Sequence, residues 1–238
     1  MMTTGLIALG VVALLLAGAA IEHFRLGIRF RQALFYLPLK LLYRIGDARM
    51  VLARHSEPPV IYAISHQSRL DPALMLSLLP ENTLHILDDY SAGAYWLEPW
   101  RELARTIAFN ASHVFVSRRL VRHLKGKGRL AVYFQDIDES HAKAFRLYRA
   151  VARIARKSDA SIVPIVIGGA SRLPFALDPR EEGRRLFPKL EIRVLEPLTV
   201  PELTGRSQRE QATQSLALYD RVEEARNSAP SPALKNAA

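Results

Sequence analysis

Between Gly5 and Ile21 the chain carries no charged residue: Gly-Leu-Ile-Ala-Leu-Gly-Val-Val-Ala-Leu-Leu-Leu-Ala-Gly-Ala-Ala-Ile. As a helix rising ~1.5 Å per residue, this run reaches roughly 25 Å. That is a little short of the ~30 Å hydrocarbon core of a bilayer, and Thr3 and Thr4 can extend it. So apolar a segment must be hidden in lipid or in protein. Ala17-Gly18-Ala19 has the small-residue spacing of a signal-peptide cleavage site, but the Met-Met-Thr-Thr before the run has no Lys or Arg. The cations lie on the other side. Arg25, Arg29, Arg31, Lys40, Arg44, Arg49 and Arg54 stand against Asp47, the one acid between Arg25 and Arg54. The positive-inside rule then predicts an uncleaved transmembrane anchor over residues 1–24. The chain is expected to cross a membrane once, with everything after the anchor on the cytoplasmic side.

Residues 25–56 read as a basic amphipathic segment. Phe30, Leu34, Phe35, Leu37, Leu41, Leu42 and Ile45 can share one face, with Pro38 as a kink. Such a helix lies in the interface of an anionic leaflet; a basic helix of the core is the alternative. The net charge of +10 also calls for an anionic partner. No RNA-binding signature or zinc-finger spacing supports nucleic acid, so an anionic membrane is the expected partner and nucleic acid is not. Cysteine is absent, which excludes disulfide scaffolds, Cys-ligated metals and a Cys nucleophile.

Glu57-Pro58-Pro59 marks a break before the main domain, residues 57–226. Apolar runs then alternate with helical patterns. Strands are expected at Val60–Ser65, Thr83–Leu87, Leu130–Phe134, Ser161–Ile167 and Leu190–Leu195, with His113–Ser117 extended. Helices are expected at Pro72–Leu79, Ala92–Ala104, Leu120–Leu124, His141–Lys157 and Ser207–Arg226, and residues 227–238 form a disordered tail. This is the pattern of a single α/β domain with a mostly parallel sheet flanked by helices, preceded by the membrane helix and the amphipathic helix. In such sheets ligands sit beyond the carboxyl ends of the strands, so the residues just after Ser65, Ser117 and Phe134 come first. Arg146, Arg149, Arg153 and Arg156 recur at helical spacing, as a solvated face or as a docking patch for phosphates or an acidic carrier protein.

After the first strand comes Ser65-His66-Gln67-Ser68-Arg69-Leu70-Asp71-Pro72. A neutral histidine accepts a proton near pH 7, and a carboxylate can fix its tautomer and stabilise the imidazolium. Taken singly, Asp71 before Pro72 is also a fitting helix N-cap, and His66 a loop residue. Ser65 and Ser68 lack the Gly-x-Ser-x-Gly elbow of a serine hydrolase.

His66-x-x-x-x-Asp71, with Ser68 between, resembles the first motif of the glycerolipid acyltransferases, the phospholipid and lysophospholipid group. The resemblance runs from about Ile45 to Val200 and is nearest to the acyltransferase part of bacterial acylglycerophosphoethanolamine acyltransferases. Phe115-Val116-Ser117-Arg118 is similar to the second motif, in which a basic residue binds the acceptor phosphate. That gives Arg118 the role, with Arg119 beside it. Ile162-Val163-Pro164-Ile165-Val166-Ile167 is similar to the family's proline-containing apolar strand. The resemblance implies direct acyl transfer. His66 takes the proton of the acceptor hydroxyl, Asp71 orients His66, and the hydroxyl attacks the thioester of acyl carrier protein or coenzyme A. Ser68, Arg118, Arg119, Asp136 and Pro164 are the implied substrate-binding residues, and no metal or other cofactor is implied.

The third motif departs from the family's Phe-Pro-Glu-Gly-Thr-Arg-Ser. Here the stretch is Phe134-Gln135-Asp136-Ile137-Asp138-Glu139-Ser140. Asp136 replaces glutamate, Ile137 replaces glycine and Glu139 replaces arginine, so one phosphate-binding cation is lost. An acceptor with a less anionic head group, or one carrying an amine, suits these changes. Two rival readings follow from the same residues. Asp136-x-Asp138 after a strand resembles the first motif of haloacid-dehalogenase-like, magnesium-dependent phosphatases. A membrane-binding relative without activity is the other.

Overall fold

The computed structural model describes residues 2–87, 91, 93–108, 114–135, 141–177 and 183–198. The apolar run forms most of α1 (Met2–Leu26), whose stretch Leu6–Leu26 is long and apolar enough to cross a membrane. Gly27, at φ 64°, takes the left-handed conformation that ends the helix. The chain reverses, and α2 (Phe30–Tyr43) packs back along α1. A Cβ at Gly18 would meet Leu37 Cδ2 at 2.7 Å, so the Leu37 side chain lies directly over the glycine and would have to shift for a larger residue. Leu6, Ile7, Leu9 and Leu14 are exposed, whereas Ala19, Glu22 and Leu26 are buried. One face of α1 from Leu15 onward therefore packs on the protein core, while residues 6–14 are exposed.

The expected apolar stripe of α2 is divided. Leu37 turns into the core with Tyr36, while Phe30, Leu34, Leu41 and Leu42 stay exposed. Gln32 on the buried side donates to the carbonyls of Leu76 (3.2 Å) and Leu79 (2.8 Å), tying α2 to the end of a later helix. The cations are also partnered. Arg25 donates to Glu22 (2.6 Å) and Asp47 (2.5 Å), Lys40 donates to Glu22 (2.5 Å), and the Tyr36 hydroxyl donates to Asp47. Arg29 pairs with Glu81 and Arg31 with Glu102. The sequence count set these cations against Asp47 alone. Glu22 is a local partner of Arg25 on α1, whereas the fold brings Glu22 to Lys40, Glu81 to Arg29 and Glu102 to Arg31.

After α3 (Met50–His55) come β1 (Val60–His66), α4 (Asp71–Leu78), β2 (Thr83–Leu87), α5 (Glu98–Arg101), β3 (Arg105–Ala108), α6 (Val114–Lys125), β4 (Arg129–Gln135), α7 (His141–Ser158), β5 (Ser161–Gly168) and β6 (Glu191–Val194). The sheet runs β3-β2-β4-β1-β5-β6, parallel throughout except for the antiparallel edge strand β6. This is the expected α/β fold with a mostly parallel sheet between helical layers. Tyr62, Ile64, Tyr133, Val163 and Ile165 face α1–α4, while Ile61, Val132, Ile162 and Val166 face α6 and α7. Being buried on both faces, the central strands read as continuous apolar runs.

Two stretches differ from expectation. The segment expected to be extended at 113–117 is instead the first turn of α6 within the described residues, because Leu120 and Leu124 pack one turn apart and draw the β-branched residues before them into the same helix. In place of a helix over Ala92–Ala104, the described residues give a 3₁₀ turn at Tyr95–Leu97, the single turn of α5, and then the short strand β3. The expected helix Ser207–Arg226 and the tail lie outside the described residues.

Candidate active site

β1 sits at the centre of the sheet between β4 and β5, and its last residue is His66. The carboxyl end of a central parallel strand is where an α/β sheet presents groups to a ligand. Asp71 opens α4 with Pro72 behind it. The Asp71 carboxylate makes no cap bond to the later amides of α4. It turns back to the loop. Oδ2 accepts the backbone N–H of Gln67 (2.7 Å) and Ser68 (2.8 Å), and Oδ1 accepts the Ser68 hydroxyl (2.8 Å). His66 Nδ1 donates to Oδ2 at 3.3 Å. Asp71 is fully buried and His66 is 2% exposed. A buried carboxylate has to be filled with donors, and this one receives four. With Nδ1 committed to Asp71, Nε2 is the ring nitrogen left to accept a proton.

The loop is held from outside as well as from within. Leu177 N–H donates to Gln67 O (2.8 Å), Arg69 N–H donates to Phe175 O (3.3 Å), and Ser68 bridges Ala176. The Leu70 N–H in turn donates to Ser68 Oγ (3.3 Å). Ser68 is thus a strut under Asp71, fully buried.

Two residues that sequence reasoning passed over lie on the same sheet face. The Tyr133 ring meets the His66 ring edge-on, with centroids 5.6 Å apart and planes at 67°. Its hydroxyl is hydrogen-bonded to His85 Nδ1 at 2.9 Å. Burial pushes His85 down to about 3, and burial, then the Asp71 charge, pushes Tyr133 well above its usual range. Both are neutral near pH 7. The signal was present as a lone histidine and a lone tyrosine at inward positions of apolar strands.

The other expected site residues are dispersed. Arg118 and Arg119, in the second turn of α6, are exposed; α6 packs through Leu120 and Leu124 on the sheet face opposite His66. Asp136 lies outside the described residues, one position past Gln135, whose register partner on β1 is His66. Pro164 is buried in mid-β5, and strand alternation puts it on the face opposite His66, with Ile162 and Val166. Its carbonyl accepts Leu195 N–H at 2.9 Å, so its missing N–H falls beside the end of the short edge strand β6, where a strand proline is tolerated. Arg149 and Arg153 are exposed on α7. Among the described residues no group of three or more His, Cys, Asp or Glu could hold a metal ion; Asp138, like Asp136, lies outside them.

The model of a family described as Acyltransferase matches residues 48–168, from the turn before α3 to the end of β5. The match contains His66, Asp71, Tyr133 and Arg118. Among solved structures, the fold is similar to the crystal structure of the 1-acyl-sn-glycerophosphate (LPA) acyltransferase PlsC from Thermotoga maritima. The sequences are 16% identical, 93% of each chain is covered, and the TM-score is 0.52.

Proposed function

Because the chain belongs to the acyltransferase family, we propose that it moves a fatty acyl group from a thioester donor to the hydroxyl of a lysophospholipid or related glycerolipid. The observation that carries this reading is the His66–Asp71 pair at the carboxyl end of β1, with Asp71 pinned by the loop it closes. His66 Nε2 takes the proton of the acceptor hydroxyl while its oxygen attacks the thioester carbonyl. Asp71 keeps the proton on Nδ1 and stabilises the imidazolium. The tetrahedral intermediate expels the thiol carrier, which takes the proton back from His66. The donor is acyl carrier protein or acyl-coenzyme A. Arg118, with Arg119 beside it, holds the acceptor phosphate by charge-assisted hydrogen bonds.

The similar Thermotoga protein acts, by its title, on 1-acyl-sn-glycerophosphate. In this chain Glu139 stands where the motif has arginine, which favours an acceptor with less negative charge or with an amine. A bilayer-resident acceptor and product fit an enzyme held by α1 at the cytoplasmic face of the cell inner membrane, with exposed apolar residues from Leu6 to Leu16 entering lipid.

The test is acyl transfer in detergent, read by mass spectrometry. Acyl carrier protein and coenzyme A donors are offered to lysophospholipids, glycerol 3-phosphate and amino-acid lipids, with His66→Ala alongside and chelator in half the samples. An acylated product that needs His66 and survives chelation supports the reading and names the acceptor. Turnover that survives His66→Ala removes the proposed base. Transfer to none of these acceptors, with magnesium-dependent phosphate release instead, moves the chemistry to Asp136 and Asp138.

A further inference from the structure

The hydrogen bond between His66 and Asp71 is the longest of those into that carboxylate, 3.3 Å against 2.7–2.8 Å for the others. One long bond at one ring nitrogen fixes rotation about χ2 only weakly, so the packing around the buried ring has to hold it. The face of the ring needs a wall, and β4 supplies it. The register partner of Tyr133 is Ile64, two residues before His66 on the same face, so the tyrosine ring reaches His66 along the diagonal of the parallel pair. Tyr133 is itself held. The partner of His85 on β4 is Ala131, small enough to let the imidazole lean over it to the Tyr133 hydroxyl.

We propose that Tyr133, braced by His85, is a positioning residue that holds the His66 ring in the plane Asp71 requires. This rests on His66 being the base of the proposed reaction. The pair is a costly way to fill this space. It lies on the same core face as Ile64, Leu87 and Ile165, a face that aliphatic side chains would fill without polar atoms. Its hydrogen bond satisfies one nitrogen of His85, and the other, Nε2, is buried with no partner among the described residues. An orphaned buried polar atom lowers stability. A fold that carries that cost against its candidate base is explained if the brace serves the site, since a ring misplaced by ~1 Å can cost about a hundredfold in rate.

The experiment uses the full-length enzyme in detergent and separates kcat from KM. Tyr133→Leu removes the wall and is expected to lower kcat about tenfold or more with KM for donor and acceptor unchanged. Tyr133→Phe keeps the ring but loses the hydrogen bond to His85, so it is expected to lower kcat as far as His85→Leu does and less than Tyr133→Leu. His85→Leu releases the brace and lowers kcat. His85→Asn, whose amide sits where Nδ1 does, restores it, which a merely structural role for the histidine does not predict. Should single variants fail to fold, Tyr133→Phe combined with His85→Leu removes both polar groups, keeps the ring and is expected to fold with reduced kcat. Folded Tyr133→Leu and His85→Leu enzymes with wild-type kcat, or a rise in KM alone, overturn the proposal while leaving His66 as base. Full activity of His66→Ala overturns the base itself.

Discussion

His66 Nδ1 lies 3.3 Å from Asp71 Oδ2, the same oxygen that accepts the amides of Gln67 and Ser68. Asp71 is therefore fixed by its own loop before it meets the histidine. Its substitutions separate two roles. Asp71→Asn can keep the loop bonds through the amide oxygen but loses the charge that stabilises an imidazolium. Asp71→Ala loses both. We expect kcat to fall on the order of a thousandfold in His66→Ala and Asp71→Ala and about a hundredfold in Asp71→Asn. Unfolding midpoints measured beside the kinetics should show Asp71→Asn nearer wild type than Asp71→Ala. Equal activity in Asp71→Asn and wild type would remove the charge from the mechanism.

The buried pair behind the site makes a pH prediction. Folded His85 is held down to about 3 by burial, whereas an unfolded histidine titrates near 6.5. Between those values the unfolded chain binds a proton that the folded chain does not. Stability from this group is whole above about pH 6.5 and falls by ~1.4 kcal/mol per pH unit as pH drops below it. Denaturant unfolding between about pH 5 and 7.5 checks this, because His85→Leu should flatten the slope by about that amount. An unchanged slope would mean that His85 is not the group responsible.

How much of this was legible beforehand follows from what burial does to a sequence. β1, α4, β2, β4 and β5 fall within a residue or two of their expected limits, because strands covered on both faces are unbroken apolar runs between turn signals. His66 and Asp71 were visible through their spacing beside such a strand. The brace was not. His85 and Tyr133 are 48 residues apart, and they meet only because β4 inserts between β2 and β1, an order that periodicity does not encode. The same holds for the cations of α1 and α2. Counted along the chain, Arg29 and Arg31 looked free for lipid; in the fold they face Glu81 and Glu102, which arrive from elsewhere. The strand β3, four residues long, carries too short a pattern to be told from the loops around it.

Arg118 is exposed in the second turn of α6, whereas His66 and Asp71 are buried. A cation that grips a phosphate in both ground and transition states changes binding without changing chemistry. Arg118→Ala is therefore expected to raise KM for a phosphate-bearing acceptor about tenfold with kcat and donor KM near wild type. Arg118→Lys should recover part of the loss. A kcat defect at unchanged acceptor KM would place Arg118 elsewhere in the reaction.

Asp47 is the point where α1, α2 and the domain are pinned together. It is buried, accepts Arg25 from α1 and the Tyr36 hydroxyl from α2, and lies 3.5 Å from Lys40. Burial alone would raise its carboxyl, but the bonds from Arg25 and Tyr36 and the Lys40 charge outweigh it and hold the group below its ordinary value. A carboxylate with a lowered folded value contributes stability above its unfolded value near 3.8, and loses it only as pH falls through the lower folded one. Asp47→Ala leaves the Tyr36 hydroxyl buried without an acceptor and frees Arg25 from the domain, at a cost of about 2–3 kcal/mol. Asp47→Asn keeps an acceptor for Tyr36 and should lose less. The hairpin turn beyond α1 also becomes accessible when the pin is gone. Limited trypsin digestion in detergent should then cut Asp47→Ala at Arg25 or Arg29 at least about tenfold faster than wild type, since cleavage follows the population of the open form. Equal digestion rates in the two proteins would mean that helix packing at Gly18 and Leu37, rather than the ion cluster, holds α1 to the domain.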